Sequence, residues 1–293
     1  MPELDYFIVD VFTDRALTGN PLAVVMNTSD LSTEQMQSIA REFNLSETTF
    51  VERSAAKIEA TEGIRTRIFT TEEELPFAGH PTLGTASVLK IADPSLAVSS
   101  TITLAENIGP IPVVFESNRT SLFAEMTQRN PEFGPELHPV RVAELIGLAV
   151  DDLDPAHPPQ IVSTGNGFAI VLLRSVEALS HLNVSQQEAA AYLRPLNGLW
   201  FYIMAPEADD FRARMQFNGG EDPATGSAAG CAISYLVARG IVPSGQQIHL
   251  RQGVEMGRPS DLFLRANLDT RRVTNVRVGG STVLVATGRL RLP

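Results

Sequence analysis

Cysteine is nearly absent from this chain of 293 residues, because Cys231 is its only thiol. A single cysteine excludes an internal disulfide, and its place among small residues predicts a buried apolar side chain. A reducing, cytoplasmic location is the expectation that fits this composition. No apolar run approaches the roughly 20 residues of a membrane helix. The first residues carry no basic segment ahead of an apolar one, so no secretory signal is expected.

Basic side chains are also scarce, with 23 Lys and Arg against 34 Asp and Glu and a net charge of −11. A surface of this charge repels nucleic acid and anionic lipid at long range. The densest basic pairs, Arg212 with Arg214 and Arg271 with Arg272, lack interleaved aromatic residues. We interpret them as solvated charges or as partners of carboxylates, and we expect neither a nucleic-acid nor a membrane partner.

Several familiar catalytic motifs are missing. The chain contains neither a G-x-G-x-x-G loop nor a G-x-S-x-G elbow, and residues 220–227 have no lysine before Ser227, as a phosphate loop would require. Cys231 lies inside a predicted helix and is a poor candidate nucleophile. The histidines show no helical spacing typical of a zinc pair, and they are His80, His138, His157, His181 and His249. These absences set aside the phosphate-loop, metal and nucleophile chemistries that the motifs serve.

What the chain does contain is an internal repetition. Residues 80–86 (HPTLGTA) and 222–228 (DPATGSA) share one pattern at an offset of 142 (222 − 80). Residues 18–25 (TGNPLAVV) and 164–171 (TGNGFAIV) are similar at an offset of 146 (164 − 18). Two matches at nearly one offset, close to half the length, indicate a duplication. Two similar halves would place a site in the cleft between them.

The predicted elements follow the same order in both halves. Ser32 with Gln35 forms a capping-box pattern that begins a helix, and Ser185 with Glu188 repeats it. Strands are predicted before and after each helix, and the polar, proline-containing segment 128–135 is the best candidate linker.

Each HP/DP motif is predicted to begin a helix, because aspartate is a favoured N-cap and proline suits the first turn. Neither 81–89 nor 223–237 contains a charged residue, which is typical of a helix buried on all sides. The N-terminus of such a helix offers unpaired N–H groups to an anion such as a substrate carboxylate. His80 and Asp222 lie at the predicted N-termini of these helices. Each could be a helix cap or a catalytic group, and the motifs alone do not distinguish the two interpretations.

Glu47 is the third candidate, in segment 44–51 (NLSETTFV), where a helix ends and a strand begins. Its apolar and hydroxylic neighbours are compatible with a partly buried carboxylate suited to general-base work. From the sequence alone, a solvated carboxylate at the start of a strand is the favoured interpretation. Its counterpart across the repeat falls near Gly198, which does not titrate, so the two halves would supply unequal groups.

At these residues the chain resembles the phenazine-biosynthesis PhzF-like family, which has the diaminopimelate-epimerase fold. The segments that carry the resemblance are 18–24, 44–51, 74–84, 220–230 and 252–260. It implies an α/β (α+β) fold of two pseudo-symmetric halves, each a curved mixed sheet wrapped around a central buried helix. The expected division is 1–128 plus 283–293 for the N-terminal half and 129–282 for the C-terminal half.

The resemblance also implies roles. Glu47 matches the proton-transferring glutamate, and His80 and Asp222 match groups that contact the substrate. Ser46, Gly79, Gly226 and Ser227 match the neighbouring substrate-binding positions. One departure is visible at 70–73 (TTEE), where relatives often have a proline after the first threonine.

The sequence therefore predicts a cofactor-independent isomerase that moves a proton on a small cyclic or amino-acid-like carboxylate. The activity that the resemblance suggests is trans-2,3-dihydro-3-hydroxyanthranilate isomerisation, in a homodimer. Two alternatives stay open, a non-catalytic small-molecule binding protein that uses the same cleft and a scaffold that works through dimerisation. Deuterium exchange into a bound ligand would separate the enzyme from the binding protein.

Overall fold

A computed structural model describes residues 3–117, 119–217 and 220–292, and the chain divides into two compact units. The first unit comprises 1–127 and 279–293, and the second comprises 128–278. The elements of the first unit are β1 (Glu3–Val11), β2 (Asn20–Val25), α1 (Thr33–Phe43), β3 (Glu47–Glu52), α2 (Ala56–Glu62), β4 (Ile64–Phe69), β5 (Glu74–Leu75), α3 (Gly79–Ala92), β6 (Thr101–Glu106), β7 (Gly109–Glu116) and β8 (Leu122–Thr127).

The first unit is built on a mixed sheet. Strand β1 pairs antiparallel with β2, β2 parallel with β3, β3 antiparallel with β4, and β4 parallel with β6. Strand β7 then pairs antiparallel with both β6 and β8. Helix α3 packs against six of these strands, and every residue from Gly79 to Leu89 is buried. The uncharged composition of this segment is what permits that burial.

Helix α1 forms where its local signals predict it. Ser32 Oγ accepts a hydrogen bond from the Gln35 backbone N–H (3.3 Å), and the Gln35 side chain accepts one from the Ser32 backbone (2.9 Å). The buried face of the helix is Met36, Ile39 and Ala40. Asn44 ends it in the left-handed region at φ 51°, a conformation that asparagine tolerates. The chain then enters β3 at Glu47.

The second unit has a comparable content of elements. They are β9 (Glu132–Glu136), α4 (Pro139–Ile146), a 3₁₀ turn (Val150–Asp152), β10 (Gln160–Ser163), β11 (Gly167–Leu172), α5 (Val176–Ser180), α6 (Gln186–Leu193), a second 3₁₀ turn (Arg194–Leu196), β12 (Trp200–Glu207), β13 (Asp210–Arg214), β14 (Gln216–Phe217), β15 (Gly220–Glu221), α7 (Gly226–Ala238), β16 (Ile248–Gln252), β17 (Ser260–Asp269) and β18 (Arg272–Arg291). The last strand begins in this unit, and its final ten residues pair antiparallel with β1 of the first unit's sheet.

The sheet of the second unit is also mixed. Strand β10 pairs antiparallel with β9 and β11, and β11 runs parallel to β12. Strand β12 pairs antiparallel with β13, β13 runs parallel to β16, and β16 pairs antiparallel with β17. Helix α7 packs against β10, β11 and β17, and its residues 226–237 are all buried. Cys231 is fully buried within it, as its neighbours predict.

Two sequence expectations in this unit are wrong. Helix α6 begins after Ser185, but the Ser185 side chain makes no capping hydrogen bond within the described chain. Glu188 Oε2 instead accepts a hydrogen bond from Arg141 Nη2 at 2.9 Å. The segment 128–135 is not a plain linker, because Gln128 is only 5% exposed and residues 132–135 lie in β9.

Of the helices formed by the described residues, none is long and apolar enough to cross a membrane.

Candidate functional site

Glu47 and His80 meet within the first unit. Glu47 is the first residue of β3, and His80 is the second residue of α3. Their closest atoms, Glu47 Oε2 and His80 Nε2, are 3.4 Å apart. The Glu47 side chain is 17% exposed and the His80 side chain 5%. The carboxylate is therefore half-buried, which overturns the favoured expectation of a solvated carboxylate at this position, and the imidazole is buried more deeply.

His80 is held as a neutral ring. Burial is the main cause that lowers its pKa to about 3, and a hydrogen bond from the ring to the Pro21 backbone carbonyl opposes the shift only in part. A base with this pKa carries no charge at neutral pH. The contact between Glu47 and His80 is therefore one between a carboxylate and a neutral imidazole and not an ion pair of opposite charges.

Asn20 fixes the orientation of that ring. Its side-chain nitrogen lies 3.2 Å from His80 Nδ1, and the residue is fully buried at the start of β2. Nε2 is the ring nitrogen that faces Glu47, and it has no hydrogen-bond partner among the described residues.

Asp222 lies in the second unit, where Thr225 binds its carboxylate. Thr225 Oγ1 donates to Asp222 Oδ2 at 2.7 Å. The Asp222 backbone N–H donates to the Met215 carbonyl (3.0 Å), and its own carbonyl accepts from Gln252 Nε2 (2.8 Å). Both the backbone and the side chain of Asp222 are therefore anchored.

Gln252 organises these contacts from a fully buried position. Its Nε2 also donates to Thr225 Oγ1 (2.9 Å), and its Oε1 accepts from Tyr202 Oη (2.9 Å) and from the Thr225 backbone N–H (3.1 Å). Burial raises the pKa of Tyr202 well above its ordinary value, with the nearby Asp222 a smaller cause. The phenol therefore stays protonated and donates. All four hydrogen-bonding positions of the Gln252 amide are used.

The expectation that His80 and Asp222 cap the two buried helices is wrong. Helix α3 begins at Gly79 with Ala78 as its N-cap, so His80 is already inside the helix. Helix α7 begins at Gly226 with Thr225 as its N-cap, three residues after Asp222. In the described residues neither N-cap side chain makes a capping hydrogen bond. The Thr225 hydroxyl is committed to Asp222 instead.

The remaining predicted positions stand beside these groups. Ser46 is exposed immediately before Glu47, and Gly79 is buried immediately before His80. Gly226 and Ser227 are buried in the first turn of α7. The structure thus brings Ser46, Glu47, Gly79 and His80 together in one unit, and Asp222, Gly226 and Ser227 in the other. Their shared action on one substrate stays a prediction.

Gln128 supports the start of α7. Its Nε2 donates to the Gly226 carbonyl (2.8 Å), and its Oε1 accepts from Thr164 Oγ1 (2.7 Å). Gly230 makes room for this amide, because a Cβ there would stand 1.9 Å from Gln128 Oε1.

Sequence reasoning missed four residues of these networks: Asn20, Gln128, Tyr202 and Gln252. Asn20 belongs to the repeated TGN motif and Gln252 opens the segment 252–260, so a signal existed for both. The sequence contains no such signal for Gln128 or Tyr202. Across residues 3–117, 119–217 and 220–292, no group of three or more His, Cys, Asp or Glu side chains is arranged to hold a metal ion.

The structure is thus a mixed α/β fold dominated by sheet, with Glu47 and His80 in contact in the first unit and an anchored Asp222 in the second. The family model described as "Phenazine biosynthesis-like protein" matches residues 9–288. The trans-2,3-dihydro-3-hydroxyanthranilate isomerase of Pseudomonas aeruginosa is 36% identical over 291 residues, which cover 98% of this chain and 99% of the relative.

Solved structures agree. A phenazine biosynthesis protein of the PhzF family from Bacillus anthracis has a TM-score of 0.87 at 25% identity and covers all of both chains. A predicted epimerase from Pseudomonas aeruginosa has a TM-score of 0.85 at 34% identity, covering 99% of this chain and all of the other. The chain belongs to the phenazine biosynthesis-like, or PhzF, family, and it is an isomerase.

Proposed function

We propose that this isomerase moves a proton on a small cyclic or amino-acid-like carboxylate by general acid and base catalysis, without a cofactor. The observation that carries the proposal is the 3.4 Å contact between the half-buried Glu47 carboxylate and the neutral, oriented His80 ring. The first substrate to test is trans-2,3-dihydro-3-hydroxyanthranilate, because a relative of 36% identity is named for its isomerisation.

In the proposed reaction, Glu47 takes a proton from a carbon beside the unsaturated system and becomes a carboxylic acid. The electron pair left behind shifts along the conjugated system, and Glu47 returns the proton to a different carbon. The ligand is neither oxidised nor reduced, and the enzyme ends as it began. His80 contacts the ligand beside Glu47 through Nε2.

We assign substrate-binding roles to the remaining predicted groups. Asp222 would hold an amine or hydroxyl group of the substrate, and the N-terminal turns of α3 and α7, with Gly79, Gly226 and Ser227, would hold its carboxylate. The absence of side-chain caps at both described helix starts supports this assignment. The exposed Ser46 beside Glu47 also supports this assignment.

A duplicated origin of the two units belongs to the same proposal. What supports it is that the run of antiparallel and parallel pairings from β1 to β7 reappears from β10 to β17. The bidentate ion pair of Arg67 with Glu74 also reappears in Arg214 with Glu221, at an offset of 147 for both members. Each unit would then wrap its sheet around its own central helix, α3 or α7.

The experiment compares the wild type with Glu47→Gln on trans-2,3-dihydro-3-hydroxyanthranilate in D₂O, with chromatography for turnover and mass spectrometry for deuterium. A general base contributes roughly 10²–10⁴-fold, so Glu47→Gln should lose at least about a hundredfold in kcat while binding the ligand. Glu42→Gln, an exposed carboxylate on α1, is the matched control and should behave as wild type.

Two outcomes would reject parts of the proposal. Full turnover by Glu47→Gln would remove Glu47 from the mechanism. Tight binding by the wild type without deuterium incorporation or product, across a panel of cyclic and amino-acid-like carboxylates, would favour the non-catalytic binding protein.

A further inference from the structure

Glu106 is a buried carboxyl group that the proposed mechanism does not use. It is the last residue of β6, is 5% exposed, and pairs with Gly109 across the turn to β7. Its Oε1 lies 2.6 Å from Thr82 Oγ1. Its Oε2 has no hydrogen-bond partner among the described residues. A carboxylate so poorly supplied with donors is costly to bury in its charged form.

The hydrogen count around Thr82 decides the protonation of Glu106. Thr82 Oγ1 lies 2.7 Å from the Ala78 carbonyl oxygen as well as 2.6 Å from Glu106 Oε1. A hydroxyl has one hydrogen, and a carbonyl oxygen has none to give. Each of the two short contacts has a hydrogen of its own only if Thr82 donates to Ala78 and a protonated Glu106 donates to Thr82. The chain of donors then runs from Glu106 through Thr82 to Ala78.

The surroundings of Glu106 agree with a neutral carboxylic acid. Burial raises its pKa to about 8, while the contact with Thr82 and the charge of Arg65 act in the opposite direction. Arg65 is engaged elsewhere, since its guanidinium donates to the Ala105 carbonyl (3.2 Å) and to Asn107 Oδ1 (2.7 Å). The titratable and charged residues on the elements packed against β6 are Arg65 and Arg67 on β4, His80 and Lys90 on α3, and Glu116 on β7.

The end of this hydrogen-bond chain is the start of α3. Ala78 is the N-cap of the helix, and its carbonyl also accepts the Thr82 backbone N–H at 3.3 Å. His80 lies between these two residues and faces Glu47. An ionised Glu106 would have to take the Thr82 hydrogen for itself, which leaves the Thr82 and Ala78 oxygens facing each other at 2.7 Å with no hydrogen between them.

We propose that Glu106, in its protonated form, is a positioning residue that locks the first turn of α3 and thereby holds His80 against Glu47. Its effect on turnover rests on the proposed function, whereas the order of hydrogens along Glu106, Thr82 and Ala78 does not. Ionisation of Glu106 releases the turn, and turnover declines in alkaline solution.

The first measurement is independent of activity. The side-chain carboxyl carbon of Glu106 is followed by NMR in protein labelled with ¹³C-glutamate and assigned by its loss in Glu106→Gln. The expected midpoint is near pH 8, far above the ordinary 4.5. The His80 ring signals should shift at the same midpoint in the wild type and not in Glu106→Gln. A carboxyl midpoint near 4.5 would overturn the proposal.

The second measurement is the pH profile of kcat. Above the midpoint the wild type should lose about tenfold per pH unit. In Glu106→Gln the amide nitrogen still donates to Thr82, so kcat at pH 7 should stay within about threefold of wild type and the alkaline decline should vanish, with KM unchanged. A residue that serves folding alone would change stability without removing that decline.

Two substitutions of Thr82 form a matched pair of tests. Thr82→Ser keeps the hydroxyl and should retain the alkaline decline, whereas Thr82→Val removes it and should lower kcat at every pH. Loss of kcat by Glu106→Gln across the whole pH range, or an alkaline decline identical to wild type, would overturn the positioning role. If no substrate turns over, the proposed function fails, and the NMR midpoint still decides the hydrogen-bond order.

Discussion

Replacing His80 with asparagine should change how the stability of the protein depends on pH. The imidazole is fully buried, and its pKa falls from 6.5 to about 3 in the folded state. Between these values the unfolded chain binds a proton at this residue and the folded chain does not. The free energy of unfolding therefore decreases as the pH falls through this window, and the stability that His80 contributes is complete only above pH 6.5.

The magnitude follows from the shift. One pKa unit corresponds to about 1.4 kcal/mol, and the unfolded histidine is only half protonated at pH 6.5, so the wild type should lose about 2 kcal/mol through His80 between pH 6.5 and 4.5. Asparagine does not titrate there, and the variant loses nothing by this route. The gap in unfolding free energy between wild type and His80→Asn should therefore narrow by about 2 kcal/mol over those two units.

The contribution of Glu106 to the free energy of unfolding changes with pH in the opposite direction over part of the same range. Its pKa rises from 4.5 to about 8 on folding, so its contribution is complete below pH 4.5 and is lost as the pH rises toward 8. Between pH 4.5 and 6.5 the pH dependences that His80 and Glu106 give to the free energy of unfolding cancel. His80→Asn should then gain stability as the solution is acidified, Glu106→Gln should lose it faster than wild type, and the double variant should parallel wild type.

The assay is urea unfolding at half-unit pH steps from 4.5 to 8, followed by circular dichroism. His138→Asn, which replaces an exposed histidine, is the matched control and should parallel the wild type. Parallel curves for wild type and His80→Asn across this range would refute the neutral, buried ring. An NMR titration of the His80 ring with a midpoint near 6.5 would refute it directly.

The remaining predictions concern the second unit. Gly230→Ala should destabilise the protein by about 2 kcal/mol, because the new Cβ displaces the Gln128 amide from both Gly226 and Thr164. Thermal unfolding checks it against Gly220→Ala, where the nearest atom is 3.7 Å from the added Cβ, and equal melting temperatures would contradict it. Gln252→Ala should raise KM about tenfold or more, since buried polar groups around Asp222 lose their partners at about 1–3 kcal/mol each. Steady-state kinetics beside Gln246→Ala, an exposed glutamine, tests this, and an unchanged KM would show that Asp222 needs no support from Gln252.

Local sequence signals predicted the helices and strands. Where such a signal failed, the residue had a partner that is distant in sequence. The Ser32–Gln35 pattern forms its capping box because both partners lie within one turn of α1. The same pattern at Ser185 and Glu188 fails because Arg141, 47 residues away, binds the Glu188 carboxylate. Whether a serine-and-acid pattern becomes a cap thus depends on a competing cation that no short window of sequence contains.

The residues of the candidate site also divide into those that local sequence identifies and those that it does not. Glu47 was identifiable from the end of a helix and the start of a strand, and His80 and Asp222 from the repeated motif. The partners that fix them were not, because Asn20 reaches His80 across 60 residues and Gln252 reaches Asp222 across 30. An amide that completes a buried network has no periodicity, so only the folded chain distinguishes Gln252 from the exposed Gln246.

The two copies of the repeated motif also show why equivalent positions in sequence need not share a chemical state. His80 is buried with one side-chain amide at Nδ1, and burial favours its neutral form. Asp222 keeps more solvent exposure, and a hydroxyl and an amide network hold its carboxylate in place. A carboxylate moved to position 80 would meet a single amide donor in a dry site, and an imidazole moved to position 222 would leave the Thr225 hydroxyl without its anion. The surroundings of the two residues therefore differ as the residues themselves do, which is the asymmetry that the proposed proton transfer in one direction requires.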